Sequence, residues 1–233
     1  MLNPDVCFFH IEKCIGSSLR IILYNYFINI YNDDDIFLPS HKNNEQNLTN
    51  KEDLIYFKDK DYKIILCHCN YNHIDITNYF SNTCFSITCV RNPIDRIISH
   101  YYYFDYYKYK LKLHELDETN IKNIIDENGR TILMRLSGNT FNFDDVINNL
   151  KNINCIMIFE KFTDDIKLLN NLLNNKFNSN FIMENIHVNE NNINYKEFKN
   201  QDVKIILKYI HLIEDMKIYS YIYKLNNDER FKL

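Results

Sequence analysis

Two short stretches of the chain combine cations and hydroxyl groups in a way that could bind phosphate. The first is a polar turn that contains Lys13, Gly16, Ser17 and Ser18. The second begins at Arg91 and has Ser99 eight residues later, about two turns of a helix. Ammonium, guanidinium, hydroxyl and backbone N–H groups are the donors that proteins direct at phosphate oxygens. The chemistry indicated is recognition of a doubly phosphorylated ligand, with no evident carboxylate to hold magnesium.

Each stretch lies between an apolar run and an amphipathic segment. Val6 to Phe9 predicts a buried strand, and the apolar spacing from Leu19 to Tyr31 predicts a helix. Cys84 to Val90 predicts another strand, and a helix from Pro93 to about Leu113 follows it, with Asn92 as its N-cap. A strand, a tight turn and a helix direct backbone N–H groups toward a phosphate, although an ordinary strand-to-helix connection has the same outline.

The rest of the chain continues the alternation of strands and helices. Two further strands are predicted at Lys63–His68 and Asn154–Glu160. Helices are predicted at Ile74–Phe80, Ile121–Ser137 with a break at Gly129 and an end at Gly138, Asp144–Lys151, Thr163–Leu173 and from Asp202 to about Leu225; Asn32–Lys60 is predicted to be a loop. This order predicts a single α/β domain over residues 1–233, with a three-layer, mostly parallel central sheet flanked by helices.

The predicted strand ends bring the polar residues together. They carry Lys13, His68, Arg91 and Glu160. In parallel sheets, ligands bind beyond the carboxyl ends of the strands, so a site is predicted at this edge. The turn differs from a Walker P-loop, because Lys13 precedes Gly16 by three residues and does not stand directly before Ser or Thr.

The composition excludes several classes of protein. The chain has 233 residues and a net charge of −4, so a general surface for nucleic acid or anionic membranes is not expected. No window approaches the roughly 18 apolar residues of a membrane span, and no secretory signal is recognisable. We therefore expect a soluble, cytoplasmic protein whose seven cysteines are reduced.

A zinc site is not predicted, although cysteine and histidine cluster after the second strand. The cluster consists of Cys67, His68, Cys69 and His73. In a strand, Cys67 and Cys69 would face away from His68, and the chain has no CxxC pair. The same strand-end position leaves His68 available for acid–base chemistry or for a hydrogen bond within the core.

The two phosphate-type stretches resemble those of a known family. FFHIEKCIGSSLR is similar to the 5′-phosphosulfate loop of sulfotransferases, especially the carbohydrate (heparan-sulfate) branch with its HIPKTGGTSL pattern. VRNPIDRIISHYY is similar to the 3′-phosphate segment of that family, LRDPxxRxxSxYY. Weaker similarities follow in order at LCHCNY, RTILMRLSG, IMIFEKFTDDIKLL and DMKIYSYI, so the resemblance covers nearly the whole chain.

The resemblance implies a P-loop-like nucleotide-binding core and a donor, 3′-phosphoadenylyl sulfate, that is used without a metal. Lys13 would contact the 5′-phosphosulfate and the oxygen that joins phosphate to sulfate, and Gly16, Ser17 and Ser18 would bind the same phosphate. Arg91 and Ser99 would bind the 3′-phosphate. His68 would be the base that deprotonates a hydroxyl of the acceptor, for which the resemblance indicates a carbohydrate.

Four residues depart from the family pattern. Glu12 stands where the pattern has Pro, Cys14 replaces Thr, and Ile15 replaces Gly. Cys67 stands before His68 where Gly is usual. These changes predict an anion loop with altered contacts, while Lys13 keeps its place in the pattern.

Two other functions stay open at the level of sequence. One is a nucleotide-dependent kinase in which Glu160 or Asp164 assists a magnesium ion. The other is a non-catalytic protein that binds a nucleotide through the altered loop. They differ from a sulfotransferase in magnesium dependence and in the effect of removing His68.

Several other residues have a structural and a functional interpretation. The run from Tyr101 to Tyr109 is predicted to be half core and half surface, with an acceptor groove as the alternative. His10 is predicted to be structural. Arg130 and Arg135 are either surface residues or contacts for an anionic acceptor.

Overall fold

A computed structural model describes residues 4–38, 62–67, 84–138, 140–184 and 197–232. Its strands form one parallel sheet in the order β2-β3-β1-β4-β5. Their bounds are β1 Val6–Phe9, β2 Ile36–Phe37, β3 Ile64–Cys67, β4 Phe85–Val90 and β5 Cys155–Ile158. The predicted parallel α/β sheet is therefore confirmed. The prediction of a loop throughout Asn32–Lys60 is wrong at β2, which is only two residues long and pairs with β3 alone.

Helices precede and follow the strands in the predicted alternation. They are α1 Gly16–Phe27, α2 Pro93–His100, α3 Tyr106–Tyr109, α4 Glu118–Asn128, α5 Thr131–Ser137, α6 Phe143–Asn152, α7 Phe162–Phe177, α8 Lys199–Leu207, α9 Asp215–Lys224 and α10 Asn227–Arg230. Within the described ranges, no helix has the length and apolar character needed to cross a membrane.

Successive strand residues face opposite sides of the sheet, and each side has its own core. On one side, Cys7, Ile65 and Ile156 pack with apolar residues of α5, α6 and α9. On the other side, Phe8 and Met157 pack with α1 and α7. Helices on both faces give the three-layer arrangement that the alternation predicts. A separate apolar cluster joins α2, α4 and α8 beside the sheet.

The long helix predicted from Pro93 starts at the predicted residue but changes its geometry. The α-helical part ends at His100, and a π-helical turn at Tyr101–Asp105 separates it from α3. Tyr101 and Tyr102 are buried in this turn, so tertiary packing of the aromatic side chains accompanies the change in helical repeat.

The single helix predicted from Asp202 to Leu225 is wrong, because α8 and α9 are separate. A short 3-10 turn at Ile210–Leu212 lies between them. The break allows the buried carboxylate of Asp215 to accept the backbone N–H groups of Ile132 and Leu133 at the start of α5, both at 2.8 Å.

The predicted break and end of the preceding helical stretch are confirmed. Gly129 separates α4 from α5, and Gly138 ends α5 in the left-handed conformation, φ 69°. The predicted helix Ile74–Phe80 lies outside the described residues.

Candidate anion-binding site

The connection between β1 and α1 is built from two left-handed residues that are not glycine. Lys13 has φ 62° and Ile15 has φ 60°. Ile15 is the N-cap of α1 and makes no side-chain cap, and the first turn of α1 has no acidic residue. Ile15 therefore adopts a conformation that glycine reaches without strain and that a β-branched residue adopts only at a cost.

The helix begins three residues earlier than predicted. Gly16, Ser17 and Ser18, expected in the turn, form the first turn of α1. The first N–H groups of a helix have no partner within it, and they sit at the positive end of the helix dipole. These three residues therefore place the positive end of the α1 dipole at the β1–α1 connection.

Gly16 is needed because the ring of His10 lies against it. A Cβ atom at this position would come within 1.6 Å of His10 Nε2. The His10 ring is buried and stacks on Phe8, with 5.7 Å between the ring centroids. The close approach that a glycine at this point indicates is thus made by a side chain of the protein itself.

Glu12 does not leave an uncompensated negative charge beside the loop. Arg135 of α5 donates from Nε to Glu12 Oε2 at 3.2 Å and from its Nη2 to Glu12 Oε1. This two-point pair fixes the loop to α5. Arg135 is thus occupied by the protein itself, and Arg130 pairs at the surface with Glu214 at 2.7 Å.

Lys13 carries its ammonium group into an aromatic contact. Its Nζ atom lies 3.7 Å from the centroid of the Tyr103 ring. Burial and the nearby charge of Arg91 lower the pKa of Lys13 to about 8. Among the residues that the structure describes, no carboxylate lies within ion-pair distance of Lys13.

Arg91 joins the second stretch to the first. Its Nη1 donates to the Lys13 carbonyl oxygen at 3.2 Å, and its guanidinium lies 4.3 Å over the ring of Phe159. The side chain is only 9% exposed, and its buried Nε has no hydrogen-bond partner in the described part of the chain. A buried, unused N–H donor is costly unless a further group satisfies it.

Ser99 is buried in α2, and the structure shows no hydrogen bond between the described side chains of Ser99 and Arg91. The next residue, His100, is affected by the charge of Lys13 in the loop. Burial, together with the charges of Arg96 and Lys13, lowers the pKa of His100 to about 4. The end of α2 therefore passes close to the β1–α1 connection.

Arg96 also has two unused donors near this site. It is fully buried, donates to the carbonyl oxygen of Asn128, and lies 3.9 Å from Asp215. Its Nε and Nη1 have no hydrogen-bond partner within the described ranges. Burial raises the pKa of Asp215 to about 6, opposed by Arg96. Sequence reasoning missed Arg96, since a mid-helix arginine carries no signal of burial.

Three predicted positions have other outcomes. His68, Cys69 and His73 lie outside the described residues, and Cys67 is the last residue of β3. Glu160 accepts the Asn92 N–H at 2.9 Å and the Tyr219 hydroxyl at 3.0 Å, so both oxygens have protein partners. Asp164 is exposed near Lys167. The described part of the chain contains no group of three His, Cys, Asp or Glu residues placed to hold a metal ion.

The tyrosine-rich run divides as predicted into core and surface. Tyr101 and Tyr102 are buried, whereas Tyr103, Phe104 and Tyr107 are exposed. Sequence reasoning did not single out Tyr103 as the residue that meets Lys13, because that contact depends on the π-helical turn.

The fold and the site thus define an α/β protein with two cations at the carboxyl edge of a parallel sheet. No family model matches the chain, and no curated protein matches it. Among solved structures, it is similar to a sulfotransferase from Alicyclobacillus acidocaldarius, with 13% sequence identity and a TM-score of 0.44. That likeness covers 91% of this chain and 97% of the other.

Proposed function

We propose that the protein is a sulfotransferase that moves a sulfuryl group from 3′-phosphoadenylyl sulfate to a hydroxyl group of a carbohydrate. The observation that carries the proposal is the contact between the two phosphate-type stretches. Arg91 donates to the backbone of Lys13, and each of the two cations lies without a carboxylate partner among the described residues. Two adjacent cations and the open end of α1 favour a ligand with more than one phosphate group.

The donor would be held at both of its phosphates. Lys13 and the first-turn amides of Gly16, Ser17 and Ser18 would bind the 5′-phosphosulfate. Arg91, directly after β4, and Ser99, in α2, would bind the 3′-phosphate. The small exposure of Arg91 implies that only an edge of its guanidinium reaches the ligand.

The chemistry needs charge stabilisation and one proton acceptor. As the acceptor oxygen bonds to sulfur, the bond between sulfur and the 5′-phosphate oxygen breaks, and adenosine 3′,5′-bisphosphate leaves. Lys13 would stabilise the charge that develops on the leaving phosphate, an effect that grows in a site with little water. His68 would take the proton of the acceptor hydroxyl as a neutral imidazole.

Calorimetric titration with adenosine 3′,5′-bisphosphate tests the donor site. We expect binding by the wild-type protein, and a loss of at least about tenfold in affinity for Lys13→Met and Arg91→Met, since each removes a charged hydrogen bond. Lys167→Met is the matched control, because Lys167 is exposed and pairs with Asp164. Absence of binding by folded wild-type protein would overturn the proposal, and magnesium-dependent binding of ATP in its place would favour a kinase.

Transfer of radiolabelled sulfate from the donor to a panel of glycans tests the reaction. His68→Ala should reduce the rate by about 10²–10⁴ while the affinity for the bisphosphate is kept, because a general base contributes that much to catalysis. His211→Ala, at an exposed histidine, is the control. Bisphosphate binding with no transfer to any hydroxyl acceptor would make the protein a non-catalytic binder.

A further inference from the structure

We propose that Tyr103 is a positioning residue, whose ring face holds the Lys13 ammonium group at the mouth of the β1–α1 loop. The geometry that carries this is the 3.7 Å separation of Lys13 Nζ and the Tyr103 ring centroid. The catalytic consequence rests on the proposed function, whereas the contact itself does not. A cation over an aromatic face is attracted by the ring quadrupole.

A lysine needs such a partner to serve as a fixed charge. Its four-carbon side chain has many rotamers, and an ammonium group is a strongly hydrated point charge. A carboxylate partner would fix Lys13 but would also cancel its charge, and none is found for it among the described residues. An aromatic face restricts the ammonium group, shields one side of it from water and leaves its charge for an anion.

The π-helical turn places Tyr103 in this position. Tyr101 and Tyr102 anchor the turn: the Tyr101 hydroxyl donates to the Leu111 carbonyl at 2.6 Å, and the Tyr102 hydroxyl donates to Asp202 at 2.8 Å. With its two predecessors buried, Tyr103 emerges at the surface, 45% exposed. Single π-helical turns within α-helices are frequent at functional sites.

Neighbouring aromatic rings pack against Tyr103 and its neighbour Phe104. Phe104 meets it edge to face with 4.6 Å between the centroids, and Phe104 in turn lies 4.7 Å from the His100 ring. The series of rings runs from the end of α2 to the ammonium group. Because Lys13 contacts the ring face, the phenolic hydroxyl is not needed for the contact. We therefore expect Tyr103→Phe to keep the Lys13 ammonium group in place.

The test uses three variants and a readout that needs no ligand. Lysines are converted to their dimethylamines with ¹³C-formaldehyde and a borane reductant, which keeps the positive charge, and the Lys13 signal is assigned by its loss in Lys13→Arg. We expect an upfield ring-current shift of this signal in the wild type and in Tyr103→Phe, and its loss in Tyr103→Leu. Tyr107→Leu removes another exposed ring of the same segment and should leave the shift unchanged. A shift that survives in Tyr103→Leu overturns the proposal.

Kinetics then test the positioning role. Tyr103→Leu should lower kcat about tenfold with a smaller change in the KM for the donor, and Tyr103→Phe should restore kcat. Unchanged or faster turnover in Tyr103→Leu overturns the role, since the ring would then be neutral or an obstacle. If the wild type shows the ring-current shift but does not bind adenosine 3′,5′-bisphosphate, the proposed function fails and the Lys13–Tyr103 contact stands.

Discussion

Two neighbouring strands, β1 and β4, each lead into a helix, and the two junctions are constructed in opposite ways. At the β4–α2 junction, Asn92 accepts the Ile94 N–H at 3.0 Å, Pro93 occupies the first turn, and Asp95 supplies a negative charge there. At the β1–α1 junction, the N-cap is Ile15 in a left-handed conformation, without a side-chain cap or an acidic residue in the first turn.

The difference separates a junction that is complete in itself from one whose helix start has neither a side-chain cap nor an acidic residue. The N-terminus of α2 is satisfied by its own sequence and by Glu160. The N-terminus of α1 remains electropositive, and a left-handed β-branched residue costs about 1–3 kcal/mol. Strain of this kind persists where the surrounding structure enforces it.

Among changes at the β1–α1 junction, we expect a substitution of Gly16 to have the largest effect on stability. Gly16→Ala places a Cβ 1.6 Å from His10 Nε2, so the buried ring must move. We expect the free energy of unfolding to fall by about 3 kcal/mol, the upper end of the usual cost of overpacking. Urea denaturation of the wild type and the variant measures this difference in the free energy of unfolding.

A double-mutant cycle provides the control for Gly16→Ala. In a His10→Ala background the space beside Gly16 is empty, so adding the methyl group should cost less than about 1 kcal/mol. An equal cost in both backgrounds would show that His10 is not the obstacle.

The second expected effect is a dependence of the bisphosphate affinity on pH, which comes from the lysine of the β1–α1 junction. Lys13 has a pKa of about 8, so its charge is lost in a pH range in which arginine side chains in general keep theirs. A bound anion keeps Lys13 protonated, so affinity is lost as pH rises through the pKa of the free protein. Between pH 7 and 9, the affinity for adenosine 3′,5′-bisphosphate should fall about tenfold.

Lys13→Arg is the control for the pH effect, because its guanidinium does not titrate in this range. Its affinity should be independent of pH from 7 to 9 in the same calorimetric titration. A wild-type affinity that is also flat would mean that Lys13 is not a ligand of the anion.

Local signals explain why one junction could be predicted from sequence in more detail than the other. Asn92 and Pro93 are standard features of a helix start, and α2 begins where they indicate. Gly16, Ser17 and Ser18 are weak helix formers, so α1 was predicted to begin three residues late. The two stretches and their meeting at one sheet edge followed from the apolar runs and the parallel order of strands.

The remaining parts of the site depend on tertiary contacts that leave no local pattern. The partner of Lys13 depends on a π-helical turn, which the buried Tyr101 and Tyr102 accompany. The partner of Glu12, Arg135, lies more than a hundred residues away in the chain, and neither residue indicates the other. His68 lies outside the described residues, so its role as a base stays a prediction.

A smaller effect tests the strain at Ile15. Alanine and glycine both remove the side chain beyond Cβ, but only alanine keeps the Cβ atom that is strained in the left-handed conformation, φ 60°. We expect Ile15→Gly to be more stable than Ile15→Ala by about 1 kcal/mol in urea denaturation. At Asn25, an exposed position inside α1, the order should reverse, with alanine more stable by about 1 kcal/mol. The same order at both positions would contradict strain at Ile15.

The smallest effect concerns the junction that is complete in itself. Asn92→Ala removes the side-chain acceptor of the Ile94 N–H, and Pro93 and the Glu160 contact remain. The free energy of unfolding should therefore fall by only about 0.5–1 kcal/mol, the lower part of the range for a lost N-cap. Asn92→Asp, which keeps an acceptor oxygen but places a second carboxylate beside Glu160, should lose less than alanine does. Because α2 is capped independently of the anion loop, the bisphosphate affinity of Asn92→Ala should stay within about twofold of wild type, a difference below about 0.5 kcal/mol. A large loss of affinity in this variant would mean that the two junctions act as one binding unit, with the cap of α2 setting the position of Arg91.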